Sequence, residues 1–529
     1  MGALVVLAGL SAVFTAGLLG VEGPSPERGP VELQGVPDRF VGVVGAPHAR
    51  EGRRATRGAE GEMGREGGPE HRADGLVEVA VDPFSTFAAD VDTGSYTMAR
   101  RTILASQTPS PTGVRVEEFV NYFDYGYPDP DGEAPFVVNL EVAPSPWHDD
   151  RHVMRVGVQA RAVEVERAPI HLTFLVDVSG SMSAGDKLPL AQQALHRLVE
   201  RLQPDDTVAL ATYAGHTGIV LEPTEARHAA VIHDGIADLR SGGGTGMASG
   251  MQAAYRMAAS QDAAERRVVV LSDGDANIGP TSHEAILASV AEYAAQGVTL
   301  STVGFGTGNY QDSRMEQLAN QGDGNYFYVD SIAEVDKVFG QDLTGTLVTI
   351  ARDVKIQVEF HPEVVEAYRL VGYDNREIAD RDFRVDAVDA GEIGAGHSVT
   401  ALYEVVLRDD PVGDLVATAR VRHKPPHDKH AAASEVSTAM PVRAVHPSID
   451  SASYGFRLAV SVATFAELLR GSPSVEGVDY AAVAKLADGA RRGDDPEAKE
   501  LVKLIRTAGE LHWGARGGGS GAEEVLVAR

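Results

Sequence analysis

The alternation of apolar and polar positions changes period along the chain, and the clearest pattern lies between residues 169 and 346. IHLTFLVDVSG is a nearly unbroken apolar run, as expected of a strand in a sheet covered on both faces. The segment after it places Leu188, Ala191, Leu195, Leu198, Val199 and Leu202 on one helical stripe, with Pro189 tolerated in the first turn. DTVALATYA reads as a second buried strand, GIVLEP as a short edge strand, and RRVVVLSDG as a further parallel strand. Thr281 with Glu284 predicts a capping box for a helix ending at Gly297, which leads into the strand VTLSTVGFG. GNYFYVD closes the sheet and SIAEVDKVFGQDL covers it. Strand and helix in regular alternation predict an α/β fold with a doubly wound, mostly parallel sheet.

The flanks have a different rhythm. Residues 81–168 predict a short strand, a helix starting near Ser95, a second helix ending before Pro128, and two alternating stretches, FVVNLEVAPS and HVMRVGVQARAV. Between 350 and 446 come DVKIQVEF, SVTALYEVVL, DLVATARVRH and STAMPVRAV. With the two strands before residue 165 these predict a β-sandwich-like domain into which the α/β domain is inserted. From Ser451 three amphipathic helices follow, so residues 347–529 read as β-rich and then helical, with a frayed Gly-rich end.

The N-terminal stretch predicts no packed core. Ala3 to Leu19 is almost wholly apolar; as a helix it spans about 25 Å, borderline against a hydrocarbon core of about 30 Å. Residues 1–20 are expected to be a signal peptide or an N-terminal membrane anchor, although the first Lys or Arg is Arg28, so the usual basic flank is missing. Residues 21–80 are rich in Gly, Pro, Glu and Arg, the composition of a flexible linker.

Composition narrows the chemistry. A length of 529 residues implies two or three domains, and 43% hydrophobic content is that of a globular protein. The formal charge of −29 argues against a nucleic-acid partner and suits a protein that attracts cations. The chain has no cysteine, which excludes disulfides, thiolate zinc sites and a cysteine nucleophile.

The candidate chemistry sits where the first buried strand ends, at Asp177-Val-Ser179-Gly-Ser181. Loops at the carboxyl ends of strands form the binding crevice of an open α/β sheet. Two more loops at that edge are expected to bring Thr245, in SGGGTGM, and Asp273, in LSDGDAN. Five hard oxygen ligands, two of them carboxylates, suit Mg²⁺ or Mn²⁺, with Ca²⁺ a third candidate, and disfavour zinc or copper.

The D-x-S-x-S run, the distant GGT threonine and the S-D-G aspartate resemble the metal-ion-dependent adhesion site of von Willebrand factor type A domains. FSTFAADVDTGSYTMARR, the β-rich flanks and the VATFAELLR tail extend the resemblance to a three-part class of bacterial proteins with this domain, over roughly residues 80 to 510. The resemblance implies cation-dependent binding of a protein ligand rather than catalysis; the exchangeable position left on an octahedral cation predicts that an acidic side chain of the partner completes the shell. The expected role is an adhesion or scaffolding module of the bacterial cell envelope, secreted, periplasmic or anchored. The alternatives are an intracellular adaptor that presents the same site to a chaperone-like ATPase and, more remotely, an aspartic protease.

Weaker signals point elsewhere. Asp92-Thr93-Gly94 resembles one loop of an aspartic protease, but that chemistry needs two such aspartates, so a helix cap or docking loop is expected. Gly304-Phe-Gly306-Thr-Gly308 lacks the dinucleotide spacing and reads as a glycine loop at a strand end. His423, His427 and His430 cluster at KPPHD, which predicts an exposed hairpin turn rather than a metal tract.

Overall fold

The computed structural model describes residues 75–517 except 90–91, 163–167, 245, 275–279, 307–311, 340–347, 375, 387, 389 and 427–430. The apolar run at 3–19 and most of the 21–80 linker therefore lie outside the described residues, as do Thr245, His427 and His430.

Two sheets flank the insert. One runs β1 (Val77–Glu78), β12 (Val365–Val371), β14 (Ser398–Leu407), β4 (His152–Ala160) and β3 (Phe136–Pro144). The other runs β13 (Ile393–Gly394), β11 (Thr349–Phe360), β15 (Leu415–Lys424) and β16 (Ser434–Pro441), with β2 (Phe84–Ala88) also paired to β11. Residues of both sheets share one core, in which Val138, Val156 and Tyr403 meet Ile356, Val358 and Val421. Strands from before and after the α/β segment thus close a single sandwich, as the patterning predicts. The strand β12 was not anticipated, because VEAYRLV alternates poorly and both Tyr368 and Leu370 turn to packed surfaces.

The insert is a six-stranded sheet, β10 (Tyr326–Val329), β9 (Val298–Phe305), β8 (Glu265–Ser272), β5 (Ile170–Asp177), β6 (Thr207–Tyr213) and β7 (Thr217–Glu225). All pairings are parallel except β6 with β7, whose edge strand is longer than GIVLEP implies. Every residue of β5 is buried, which is why it reads as an unbroken apolar run. Helix α3 (Leu188–Val199) buries Leu188, Ala191, Leu195, Leu198 and Val199 on one face of the sheet, while α5 (Met247–Ala259) and α6 (Pro280–Ala295) cover the other. Each such leucine contributes about 1.5–3 kcal/mol by leaving water. Two details differ from expectation. Helix α4 (Ala229–Ala237) stands where no element was predicted, and Thr281 lies within α6 rather than before it.

Helices α1 (Gly94–Leu104) and α2 (Val116–Asn121) pack with the C-terminal helices α9 (Tyr454–Arg470), α10 (Tyr480–Gly489) and α11 (Pro496–Gly517) in a second core. That layer is fastened to the insert by Arg100. Its guanidinium is 2.5 Å from Asp330, 2.8 Å from Glu334 of α8 (Ile332–Lys337), and donates to the Tyr122 hydroxyl at 2.8 Å. Burial opposes the charge of Arg100, but Glu334 and Asp330 outweigh it and keep the group protonated. Among the described residues no helix is long and apolar enough to cross a membrane.

Candidate metal centre

The site is built at the point where the strand order reverses. In chain order the six strands lie 3-2-1-4-5-6, with the switch between β5 and β8, and the loops leaving these two strands open the crevice. Asp177 ends β5 and Asp273 follows β8, so the topology alone sets the two carboxylates side by side. Asp177 is fully buried and Asp273 nearly so.

The backbone then folds the serines inward. Asp177 Oδ1 accepts from the Ser179 N–H at 2.8 Å, and Oδ2 accepts from the Ser272 hydroxyl at 3.1 Å. Ser272 also accepts from the Gly274 N–H at 3.1 Å, so one hydroxyl ties the β8 loop to the β5 loop. Ser179 Oγ and Ser181 Oγ stand 2.9 Å apart. The glycine loop is drawn onto the same edge: Gly242 N–H donates to the Val178 carbonyl at 2.7 Å, and Gly180 N–H to the Gly243 carbonyl at 3.2 Å. Thr245 itself lies outside the described residues. Four of the five sequence-predicted residues are therefore brought together.

Electrostatics at the site include a partner that sequence reasoning missed. Lys187 Nζ is 2.8 Å from Asp273 Oδ2, with the lysine side chain 14% exposed and the aspartate 1%. Its stem lies over Gly306, where an added Cβ would stand 2.4 Å from Lys187 Cε and force the lysine to move, and the positive φ of +80° there favours glycine. The only available signal was a lysine at the mouth of α3, six residues after Ser181, and spacing alone does not separate that from a solvated side chain. Ser272 stands in the S-D-G run, but its bond to Asp177, 95 residues away, is not written in that spacing. Burial pushes the Asp177 carboxyl above its usual range, with Asp273 adding to the effect, while the bonds from Ser179 and Ser272 oppose it. The Tyr213 phenol, buried beside Asp177, is raised by burial and by that charge, and keeps its proton.

The residues present fit a hard divalent cation. Neighbouring oxygens on an octahedral Mg²⁺ at 2.0–2.1 Å lie about 2.9 Å apart, the spacing of the two serine hydroxyls. The donor set has oxygen ligands and no imidazole or thiolate.

Known proteins resemble this chain over most of its length. Residues 171–341 match the von Willebrand factor type A domain family, residues 65–155 the von Willebrand factor family, and residues 345–413 and 408–511 the family described as the C-terminal region of uncharacterized protein YfbK. Uncharacterized protein YfbK of Escherichia coli K12 is 34% identical over 464 residues, covering 82% of this chain and 79% of that protein. The chain belongs to the YfbK family of von Willebrand factor type A domain proteins. A Synechocystis relative, itself uncharacterized, is 29% identical over 191 residues, and the match covers 44% of its length. Among solved structures, a von Willebrand factor type A protein from Catenulispora acidiphila aligns over 70% of this chain and 89% of its own at 15% identity and a TM-score of 0.42. The von Willebrand factor type A domain at 171–341 suggests an adhesion or protein-interaction module in the general sense.

Two of the weaker signals, at Asp92 and His423, find their place in this fold. Asp92 accepts from the Tyr326 N–H at 2.8 Å and pairs with Arg376 at 3.1 Å, so the Asp-Thr-Gly segment docks the N-terminal region against β10. Thr93 precedes α1 but makes no side-chain cap. His423 does not sit on an exposed turn: it lies within β15, 8% exposed, edge-on to Phe136 at 5.2 Å, and β15 is prolonged beyond it to Lys424.

Proposed function

We propose that the chain is a cation-dependent protein-binding module of the bacterial cell envelope, holding Mg²⁺ or Mn²⁺ with Asp177, Ser179, Ser181, Thr245 and Asp273. The observation that carries this reading is the 2.9 Å separation of the Ser179 and Ser181 hydroxyls above a buried Asp177. The hydroxyls bind directly, while Asp177, engaged by Ser179 and Ser272, holds the serine loop in place and acts partly through water. Envelope placement is supported by the apolar run Ala3–Leu19.

Lys187 changes the charge balance at the site. Two carboxylates, one ammonium and a divalent cation sum to −2 + 1 + 2, a net +1. An incoming Asp or Glu of the partner thus meets a positive centre set in a chain of charge −29. Without the cation the sum is −1 and the same ligand is repelled.

Scanning calorimetry with Mg²⁺ and then EDTA tests the metal. At a hundredfold excess over Kd the stabilisation is about 2.7 kcal/mol, and it is absent in Asp177→Ala. Identical melting profiles in Mg²⁺ and EDTA refute the reading. Capture of a protein partner from envelope extracts in Mg²⁺ should be lost in EDTA and in Asp177→Ala. Capture that survives both moves recognition off this site.

A further inference from the structure

We propose that His196 and His233 form a second metal site, distinct from the first, that takes a transition cation of the Zn²⁺, Ni²⁺ or Cu²⁺ class through two imidazole nitrogens. His196 lies on α3 and His233 on α4, and their Nδ1 atoms approach to 2.7 Å with ring centroids 4.9 Å apart. In neutral imidazole one nitrogen donates and the other accepts, so this contact needs one ring to present its N–H and the other its lone pair. Moving that proton to the Nε2 of the same ring leaves two lone pairs converging on one point. Two nitrogens held at 2.0–2.1 Å in a tetrahedral site stand about 3.3 Å apart, so an opening of about 0.6 Å admits the ion. Small rotations of the two partly buried rings provide that.

The surroundings favour the cation over a plain hydrogen bond. Burial and the neighbouring His233 ring hold His196 below its usual range, so near neutral pH it is in the uncharged form that ligates. The frame is already set, because the Gln192 side-chain amide donates to the Ile236 carbonyl at 2.8 Å and joins α3 to α4 across the pair. Glu200 lies one turn beyond His196 and on the same side of the helix. Its partner Arg197 is 3.5 Å away with both side chains more than half exposed, a contact easily exchanged. Among the described residues no three His, Asp or Glu side chains already converge on a metal. The site is therefore a two-nitrogen chelate completed by water, with Glu200 swinging in as a third ligand. Imidazole prefers these borderline ions to Mg²⁺, so the two sites select different metals.

The test uses the untagged full chain in millimolar Mg²⁺, titrated with ZnCl₂ by calorimetry. One equivalent of Zn²⁺ is expected, with affinity weakened at least tenfold in His233→Gln and again in His196→Gln, since losing even a group that only hydrogen-bonds a ligand costs about 10–100-fold. The Cu²⁺-loaded chain should show nitrogen hyperfine coupling that each variant reduces. Melting temperatures in EDTA establish that the variants fold. Asp177→Ala should bind Zn²⁺ as the unaltered chain does, so failure of the Mg²⁺ reading leaves this one standing. No Zn²⁺ binding by the unaltered chain, or equal binding by His233→Gln, overturns it.

Discussion

Lys187→Met removes one ammonium and keeps most of the volume of its stem. The pair it breaks is 2.8 Å long, and Asp273 is almost completely buried while Lys187 retains 14% exposure. Removing one partner of a buried pair costs 3–5 kcal/mol, and the residual exposure of the lysine puts this case at the low end, about 3 kcal/mol. In a domain of 150–250 residues that is a fall of about 6–12 °C in EDTA. In Mg²⁺ the cation takes over the charge of Asp273, and the gap between variant and parent should close to about 1 kcal/mol. The cycle then requires Mg²⁺ to bind the variant about 2 kcal/mol more tightly, roughly thirtyfold. Scanning calorimetry gives the two gaps and titration calorimetry the affinity. If the EDTA melting point is unchanged, Lys187 does not neutralise Asp273. If the deficit is the same in Mg²⁺ as in EDTA, Asp273 is no ligand and the reading of the site fails.

Two further outcomes probe the frame. Arg100→Met leaves Asp330 and Glu334 without their shared guanidinium and should cost about 3–5 kcal/mol in urea unfolding; a loss below about 1 kcal/mol contradicts a fastening role. Burial raises Glu392, which lies 3.3 Å from Arg352, to about 7 from its ordinary 4.5. Its contribution is complete below pH 4.5 and declines as pH rises to about 7, because the unfolded chain ionises first. Glu392→Gln should remove that slope between urea unfolding at about pH 5 and pH 8, and an undiminished slope would contradict the assignment.

The parts of the fold that were legible are those where burial writes a period into the chain. β5 is buried at every position and reads as such; α3 repeats its apolar residues at helical spacing. α4 was missed because AAVIHDGIA buries only Ile232 and Ile236, too few to mark a face. At the candidate site, Asp177, Ser179, Ser181 and Asp273 were visible through motif spacing. Lys187 was not, and neither was the bond that Ser272 makes, since these contacts join loops 86 and 95 residues apart. The same limit hid the Arg100–Glu334 contact, and it made His423 look like a turn residue although a strand buries it.

The insertion also imposes an order on biosynthesis. Strand β2 pairs with β11 in the register Ala88 to Lys355, so it has no partner until some 267 further residues have been made. At 5–20 residues per second that wait is about 13–50 s, during which the strands preceding the insert have exposed edges. The inserted sheet pairs only strands of its own segment, β5 to β10, and can form first. Its two ends emerge side by side: the Arg161 carbonyl accepts from Gly396 N–H at 3.1 Å and the Val348 carbonyl from Ala395 N–H at 2.8 Å. Once folded, it shortens the loop that β2 and β11 must close from about 267 to about 80 residues, a saving of about 1 kcal/mol. A lesion that slows the insert therefore delays the flanks as well, and leaves β2, β3 and β4 as the edges open to aggregation.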